Sequence, residues 1–303
     1  MSSEVKTTQK WSLTSFALRD AFTDFVLSRQ AMRCSPKTLD TYGYTVGGFV
    51  TWLEGQSITI PAEVTARHVR AFLAEKIAKG NSSWTVNDFA RGIRTLLRFW
   101  HAEGYSPEPV LFAMPKVDKK RLPVLSAEDV SRVLAVCKVR EKAIILLMVD
   151  TGLRRSEVVA LNWGDLDFNT GLLRVALGKG GKCRAVVAGA TTRRALLAYR
   201  RTLATVTDIS PLIQSFGHRL AAAGLLQVCR RLSNKSGIRF TPHALRRTFC
   251  ILSLRAGMSV LHVQALGGWA SLEMVKHYAQ MTDEDLISAS QQFSPCDNLS
   301  RLK

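Results

Sequence analysis

The sequence predicts a mainly α-helical protein with a small antiparallel β-sheet, divided into two domains. Three observations carry that expectation. Apolar residues make up 47% of 303 residues and mostly recur at three-to-four spacing, enough for two separate cores. Only two short runs, 172–177 and 184–187, read as strands, and they flank G-K-G-G-K, so they close a hairpin. A proline-rich stretch at 107–123 separates a helical first third from everything after it.

The elements follow in chain order. Residues 1–12 form a polar tail, and Leu18, Phe22, Phe25 and Val26 mark a first helix ending near Arg29. Ser35-Pro36 supplies a cap and a first-turn proline for a second helix over 37–54, whose apolar face holds Leu39, Tyr42, Val46, Phe49, Val50 and Leu53. Gly47-Gly48 inside it reads as a place of close helix contact. A third helix starts near Thr65, buries Val69, Phe72, Leu73 and Ile77, and stops at Gly80. The fourth starts at Ser82 or Ser83, carries Val86, Phe89, Ile93, Leu96, Leu97 and Trp100, and stops at Gly104. Together these make a helical bundle over 13–106.

Residues 107–124 follow as a basic linker, PEPVLFAMPKVDKKRLP, with four prolines. The second domain, 125–303, opens at Ser126, where S-A-E-D sets a capped helix start. A buried helix covers 141–150, and TGLRRSEVVALNWGDLDF turns into a helix with Arg154, Arg155 and Glu157 at its start. The hairpin carries Lys179 at its tip. Helices are expected over 190–205, 218–235, 242–256, 259–267 and 271–280, with a last amphipathic segment at 283–293.

Charge narrows the function. The formal net charge is +18, and residues 174–247 hold 15 basic residues against one acid, Asp208. A one-signed block interleaved with Leu, Val and Phe at folding periodicity points to a folded nucleic-acid surface rather than a tail. The six cysteines show no CxxC spacing, which disfavours a zinc site and a disulfide framework. The opening MSSEVKTTQK is too polar for a signal peptide, and the longest apolar run, 143–149, is too short to span a bilayer, so a cytoplasmic protein is expected.

If the substrate is a DNA phosphodiester and no metal is used, attack at phosphorus builds charge on two non-bridging oxygens. Guanidinium forks suit that geometry, which makes Arg154 and Arg246 the candidates. An arginine at a helix start is, taken alone, more often a surface residue. Glu157, three residues after Arg154, shares its helical face and is placed to orient a basic group. His243 and Arg246 share a face by the same spacing, and His243 either accepts the nucleophile's proton or donates to a phosphate oxygen. Lys179, on its glycine-flanked tip, is suited to protonate a leaving 5′-hydroxyl, a role for which Lys182 competes. Tyr278 is the candidate nucleophile: a phosphotyrosine conserves the energy of the broken phosphodiester, so no ATP is needed. Trp269 offers an indole N–H and a packing surface.

These motifs, in this order, resemble the tyrosine recombinases, or integrases, of the Xer and phage-integrase type. T-G-L-R-R-S-E at 151–157 is similar to the first arginine box, G-K-G at 178–180 to the hairpin lysine, H-A-L-R at 243–246 to the second box, and G-G-W at 267–269 precedes Tyr278 at the family's interval. S-P-K-T-L-D-T-Y at 35–42 resembles the opening of the family's SAM-like core-binding domain, so the likeness covers 13–293. It implies that Arg154, Lys179, His243, Arg246, Trp269 and Tyr278 are catalytic, with Glu157 in support and no cofactor or metal. Trp269 stands where many members carry histidine, which leaves that position hydrogen bonding and packing rather than proton transfer.

The resemblance further implies double-stranded DNA with an inverted-repeat core site as partner. It implies a homotetramer on DNA that exchanges strands through a Holliday junction, monomeric or dimeric when free, with 283–293 docking on a neighbouring protomer. No arm-type DNA-binding domain is expected ahead of the first helix. A type IB topoisomerase-like nicking and closing enzyme would use the same residues, and a catalytically silent DNA-binding factor on the same scaffold is the alternative outside enzymes.

Overall fold

In the first unit, a proline at the first helical position and a serine hydroxyl start the chain turning. Ser35 Oγ accepts from the Thr38 amide at 3.2 Å, and Pro36 opens helix α2, Pro36–Tyr42. The computed structural model describes residues 17–118, 123–175, 184–276, 287 and 290–291. The chain divides into two compact units, 1–120 and 121–303, each with its own core.

The first unit packs α1 (Leu18–Ala31), α2, α3 (Gly48–Gly55), α4 (Ala66–Ala78) and α5 (Ser83–Ala102) around Phe25, Phe49, Phe72, Phe89 and Trp100. Phe72 meets Phe49 and Phe89 edge-on, at centroid distances of 5.2 and 5.5 Å. Helix α5 starts where Ser82 Oγ accepts from Thr85 N at 3.2 Å.

The expected single helix over 37–54 is instead broken. Residues Gly43–Gly47 form a π turn between α2 and α3. The wider turn lets Thr45 and Val46 both face Gly92 of α5, where an added Cβ would lie 2.7 Å from Thr45 Oγ1. The close contact expected at Gly47-Gly48 therefore falls at Gly92, since a Cβ on Gly47 or Gly48 would meet only ordinary neighbours, the nearest at 3.4 Å. Ile77, expected in the core, is 59% exposed. It belongs to the last turn of α4, where Lys76 rather than Ile77 lies over the Phe72 and Phe89 rings.

Residues 107–118 have no regular secondary structure, yet part of them is fastened to the bundle. Val110, Phe112 and Met114 pack on its core, Arg94 donates to Phe112 O at 3.3 Å, and Asn87 donates to Pro115 O at 3.1 Å.

In the second unit, Ser126 caps α6 (Ala127–Ala135), with Asp129 reaching back to the Ser126 amide at 3.2 Å. Helix α7 (Val139–Thr151) is the central element, with Ala143, Ile144, Ile145, Leu147 and Met148 fully buried. It ends at Gly152, which is left-handed at φ 61° and so close to Phe249 that a Cβ would lie 2.3 Å from the ring. Short α8 (Arg155–Ala160) follows. Strands β1 (Leu172–Val175) and β2 (Arg184–Val187) pair antiparallel, Leu172 opposite Val187 and Val175 opposite Arg184.

Helix α9 covers Ala190–Arg200, shorter than expected. The helix expected from residue 218 begins only at α10, Ala222–Ser236, because β3 (Gln214–Ser215) and β4 (His218–Arg219) form a second hairpin first. Phe216 and Gly217, at φ 50° and 78°, make its two-residue turn. Arg219 fixes that hairpin to the end of α8, donating to the carbonyls of Val159, Ala160 and Leu161 and to Asn162 Oδ1 at 2.6 to 3.0 Å. Helices α11 (Pro242–Arg255), α12 (Val260–Gly267) and α13 (Leu272–Lys276) complete the described fold. The expected segment 283–293 lies largely outside the described residues. Among the described residues no helix is long and apolar enough to cross a membrane.

Candidate active site

The site is built around the C-terminal end of α12. The last carbonyls of a helix lack intrahelical donors and carry the negative end of its dipole, so cations gather there. Here three arginines from three different elements each take one of three successive carbonyls. Arg184 Nε donates to Leu266 O at 3.1 Å, Arg246 Nη2 to Gly267 O at 2.6 Å, and Arg154 Nη2 to Gly268 O at 2.9 Å.

Each arginine reaches that point for a local reason. Arg154 is the N-cap of α8, delivered by the turn at Gly152 and the buried Leu153. Its amide donates to Glu157 Oε2 at 2.6 Å and its Nη1 to Glu157 Oε1 at 2.9 Å, while its side chain stays 43% exposed. Arg246 lies on α11, one turn after His243, and is buried. Its Nη1 donates to Gly152 O at 2.6 Å, so one guanidinium bridges the end of α7 and the end of α12. Arg184 opens β2, and its fork takes both oxygens of Glu157 at 2.7 and 2.8 Å.

Glu157 thus accepts from two of these guanidinium groups, Arg154 and Arg184. Burial pushes its pKa up, but the Arg184 hydrogen bonds, the Arg154 amide and the Arg184 charge outweigh that and bring it down to about 2. It stays ionised throughout the neutral range.

His243 sits at the start of α11, whose N-cap Thr241 accepts from Ala244 N at 3.2 Å. Its pKa is lowered, first by burial of part of the ring and then by the charges of Arg247, Arg246, Arg154 and Arg155. The neutral imidazole, one ring nitrogen a donor and the other an acceptor, is therefore the favoured form beside these cations.

Trp269 is buried under this centre. Its ring stacks on Phe249 at 6.4 Å with 15° between planes, and the Arg246 guanidinium lies over it at 4.3 Å. A small core of Phe249, Cys250, Val263, Trp269 and Val275 supports that stack. Of the residues named from sequence, Arg154, Glu157, His243, Arg246 and Trp269 come together here. Lys179, its competitor Lys182 and Tyr278 lie outside the described residues. Among the described residues no group of three or more His, Cys, Asp or Glu could hold a metal ion.

Arg184 was not among the residues expected at the site. Its signal was present: period-2 alternation puts Arg184 on the same face as the buried Val186, and a charge on the inward face of a strand calls for a partner.

Fixed guanidinium groups gathered beside a histidine suit an anionic ligand with the geometry of a phosphodiester. Comparison with known proteins takes the assignment further. The phage integrase family model matches residues 123–285, and the phage integrase N-terminal SAM-like domain model matches 20–104. Tyrosine recombinase XerA of Pyrococcus furiosus is 30% identical, over 88% of this chain and 91% of its own. Tyrosine recombinase XerC of Stutzerimonas stutzeri is 32% identical, over 88% and 92%. The Tn1549 transposon integrase, solved in complex with transposon right end DNA, superposes with a TM-score of 0.73 at 19% identity, over 92% of this chain and 100% of that one. The chain belongs to the phage integrase family of tyrosine recombinases.

Proposed function

We propose that this recombinase breaks and rejoins double-stranded DNA at a specific site with Tyr278 as nucleophile and Arg154, His243 and Arg246 as the groups that hold and relay charge at the scissile phosphate. The tyrosyl oxygen attacks phosphorus, the bond to the 5′-oxygen breaks, and a 3′-phosphotyrosine forms. The phenol's proton goes to His243, and Lys179 supplies a proton to the leaving 5′-hydroxyl. Reversal with a different 5′-hydroxyl rejoins the strands, so neither ATP nor a metal enters the balance.

The observation that carries this reading is the set of three arginines on the closing carbonyls of α12. It fixes guanidinium charge in place before substrate arrives, which is how developing charge is stabilised without reorganisation. The lowered pKa of His243 keeps its ring neutral, the form in which it can take the phenol's proton. Glu157 orients Arg154, and Trp269 buttresses Arg246. The chain, cytoplasmic and bound to an inverted-repeat core site, acts as a homotetramer that exchanges strands through a Holliday junction, with 283–293 docking on the neighbouring protomer.

A covalent trap tests it. The DNA is a duplex selected by the protein from a randomised inverted-repeat pool, then nicked beside the cleavage point so that the cut fragment diffuses away. The parent protein is expected to form a denaturant-resistant 3′ adduct, and Tyr278→Phe none. Absence of an adduct with the parent, or an equal adduct with Tyr278→Phe, would overturn the reading.

A further inference from the structure

We infer that Arg184 is a positioning residue for Arg154: by occupying one lone pair on each oxygen of Glu157, it prevents Glu157 from drawing the Arg154 guanidinium away from Gly268 and from the DNA. This rests on the catalytic role proposed for Arg154.

The geometry is specific. An ionised carboxylate has about four lone-pair sites. On Glu157 all four are taken: Oε1 accepts from Arg184 Nη1 at 2.7 Å and Arg154 Nη1 at 2.9 Å, and Oε2 from Arg184 Nη2 at 2.8 Å and the Arg154 amide at 2.6 Å. Arg154 therefore touches the carboxylate through one guanidinium nitrogen and has Nη2 on Gly268 O. The two arginines differ in exposure. Arg184 is 14% exposed and Glu157 10%, whereas Arg154 is 43% exposed. The buried pair is the fixed partner, and the exposed guanidinium is the one left facing solvent.

Removing the Arg184 fork would leave two acceptor sites open on a nearly buried carboxylate. Among the described residues Arg154, already bonded to Glu157, is the cation placed to fill them, and a guanidinium and a carboxylate favour the two-bond, parallel arrangement. Arg154 would then swing from Gly268 onto Glu157, neutralised where its charge is needed. Gly268 is adapted to the present arrangement. It is left-handed at φ 63°, and a Cβ there would sit 3.0 Å from Arg184 Cδ and Nε, so backbone and arginine stem are in close approach. Arg184 also begins the strand that follows Lys179 by five residues, which ties that strand to α12 through Leu266 O.

The test compares Arg184→Gln, Arg184→Lys, Glu157→Gln and the double variant Arg184→Gln/Glu157→Gln. Single-turnover cleavage of the nicked duplex, affinity for the same uncut duplex, and Tm are measured for each. Arg184→Gln is expected to cleave about a hundredfold more slowly, the scale of a misplaced catalytic group, with affinity unchanged within about threefold because many other basic residues share that task. Arg184→Lys keeps the charge but cannot fork, and is expected to recover part of the rate at parent-like Tm.

The deciding variant is the double one. Neutralising Glu157 removes what captures Arg154, so it is expected to cleave about tenfold faster than Arg184→Gln alone at a temperature where both are fully folded. A purely structural role for Arg184 predicts that the double variant gains Tm, because no unpaired charge is left buried, but gains no rate where both are fully folded. Parent-like cleavage by Arg184→Gln, equal loss of affinity and cleavage, or a double variant no faster than the single one would overturn the inference. Failure of the parent to form any adduct would instead overturn the proposed function. Should Arg184→Gln not fold, the Arg184→Lys rate with and without Glu157→Gln gives the same comparison.

Discussion

The Arg246 guanidinium lies over the Trp269 ring, 4.3 Å from its centroid, and the same ring stacks on Phe249. A buried cation is thereby placed on an aromatic face while its nitrogens bind the carbonyls of Gly152 and Gly267. Trp269→Ala is expected to lower unfolding free energy by about 3 to 5 kcal/mol, the usual cost of emptying an aromatic site, and to abolish cleavage. Trp269→Phe keeps most of the packing, so it should retain most of the stability and part of the cleavage. Denaturant titration beside the cleavage assay checks both.

Gly267 is the last residue of α12 and has no room for a side chain. An added Cβ would stand 1.8 Å from Trp269 Cζ3. Gly267→Ala must therefore displace the indole and with it the carbonyl that Arg246 holds. The expected loss is about 1 to 3 kcal/mol of overpacking strain, greater than the helix-propensity gain of about 1 kcal/mol. A lower Tm with reduced cleavage confirms it; a raised Tm would show that Trp269 moves freely.

Glu157 makes stability depend on acid. Its folded-state pKa of about 2 lies below the ordinary value of 4.5, so its contribution is complete above about pH 4.5 and is lost as pH falls through about 2. After allowance for solvent screening the contribution is on the order of 1 to 2 kcal/mol. Chemical denaturation at several pH values should show the parent more stable than Glu157→Gln at neutral pH, with the gap closing over that acid window. A gap that persists below it would assign the difference to packing.

With His243 as the proposed proton acceptor, its ionisation should govern the acid side of the rate. Because burial and the surrounding arginines lower its pKa, the neutral form persists below the usual 6.5. Single-turnover cleavage should rise with pH along a limb whose midpoint lies under that value, and His243→Ala should remove the limb. Arg155→Ala, by removing one of those arginine charges, should move the midpoint upward.

Much of this was readable in the sequence because it rests on local chemistry. Ser35, Ser82, Ser126 and Thr241 each accept an amide hydrogen three residues on, so the helix starts follow from residue type and spacing. The pairing of Arg154 with Glu157 is a neighbour relation of the same kind. What escaped depends on contacts distant in the chain. The π turn at Gly43–Gly47 faces Gly92 of another helix, and the β3–β4 hairpin relies on Arg219 gripping the end of α8. The convergence of Arg154, Arg184 and Arg246 on residues 266–268 joins four segments, and no periodicity within any one of them announces it.

On the proposed function, the guanidinium groups held at the end of α12 serve the transition state rather than general attraction to DNA. The most direct test is Arg154→Lys, which keeps the charge and loses the fork. Affinity for the uncut duplex and single-turnover cleavage of the nicked duplex are measured on the same preparation. Affinity within about threefold of the parent with cleavage reduced about a hundredfold or more is the expected result. Affinity and cleavage falling by the same factor, or cleavage unchanged, would contradict it.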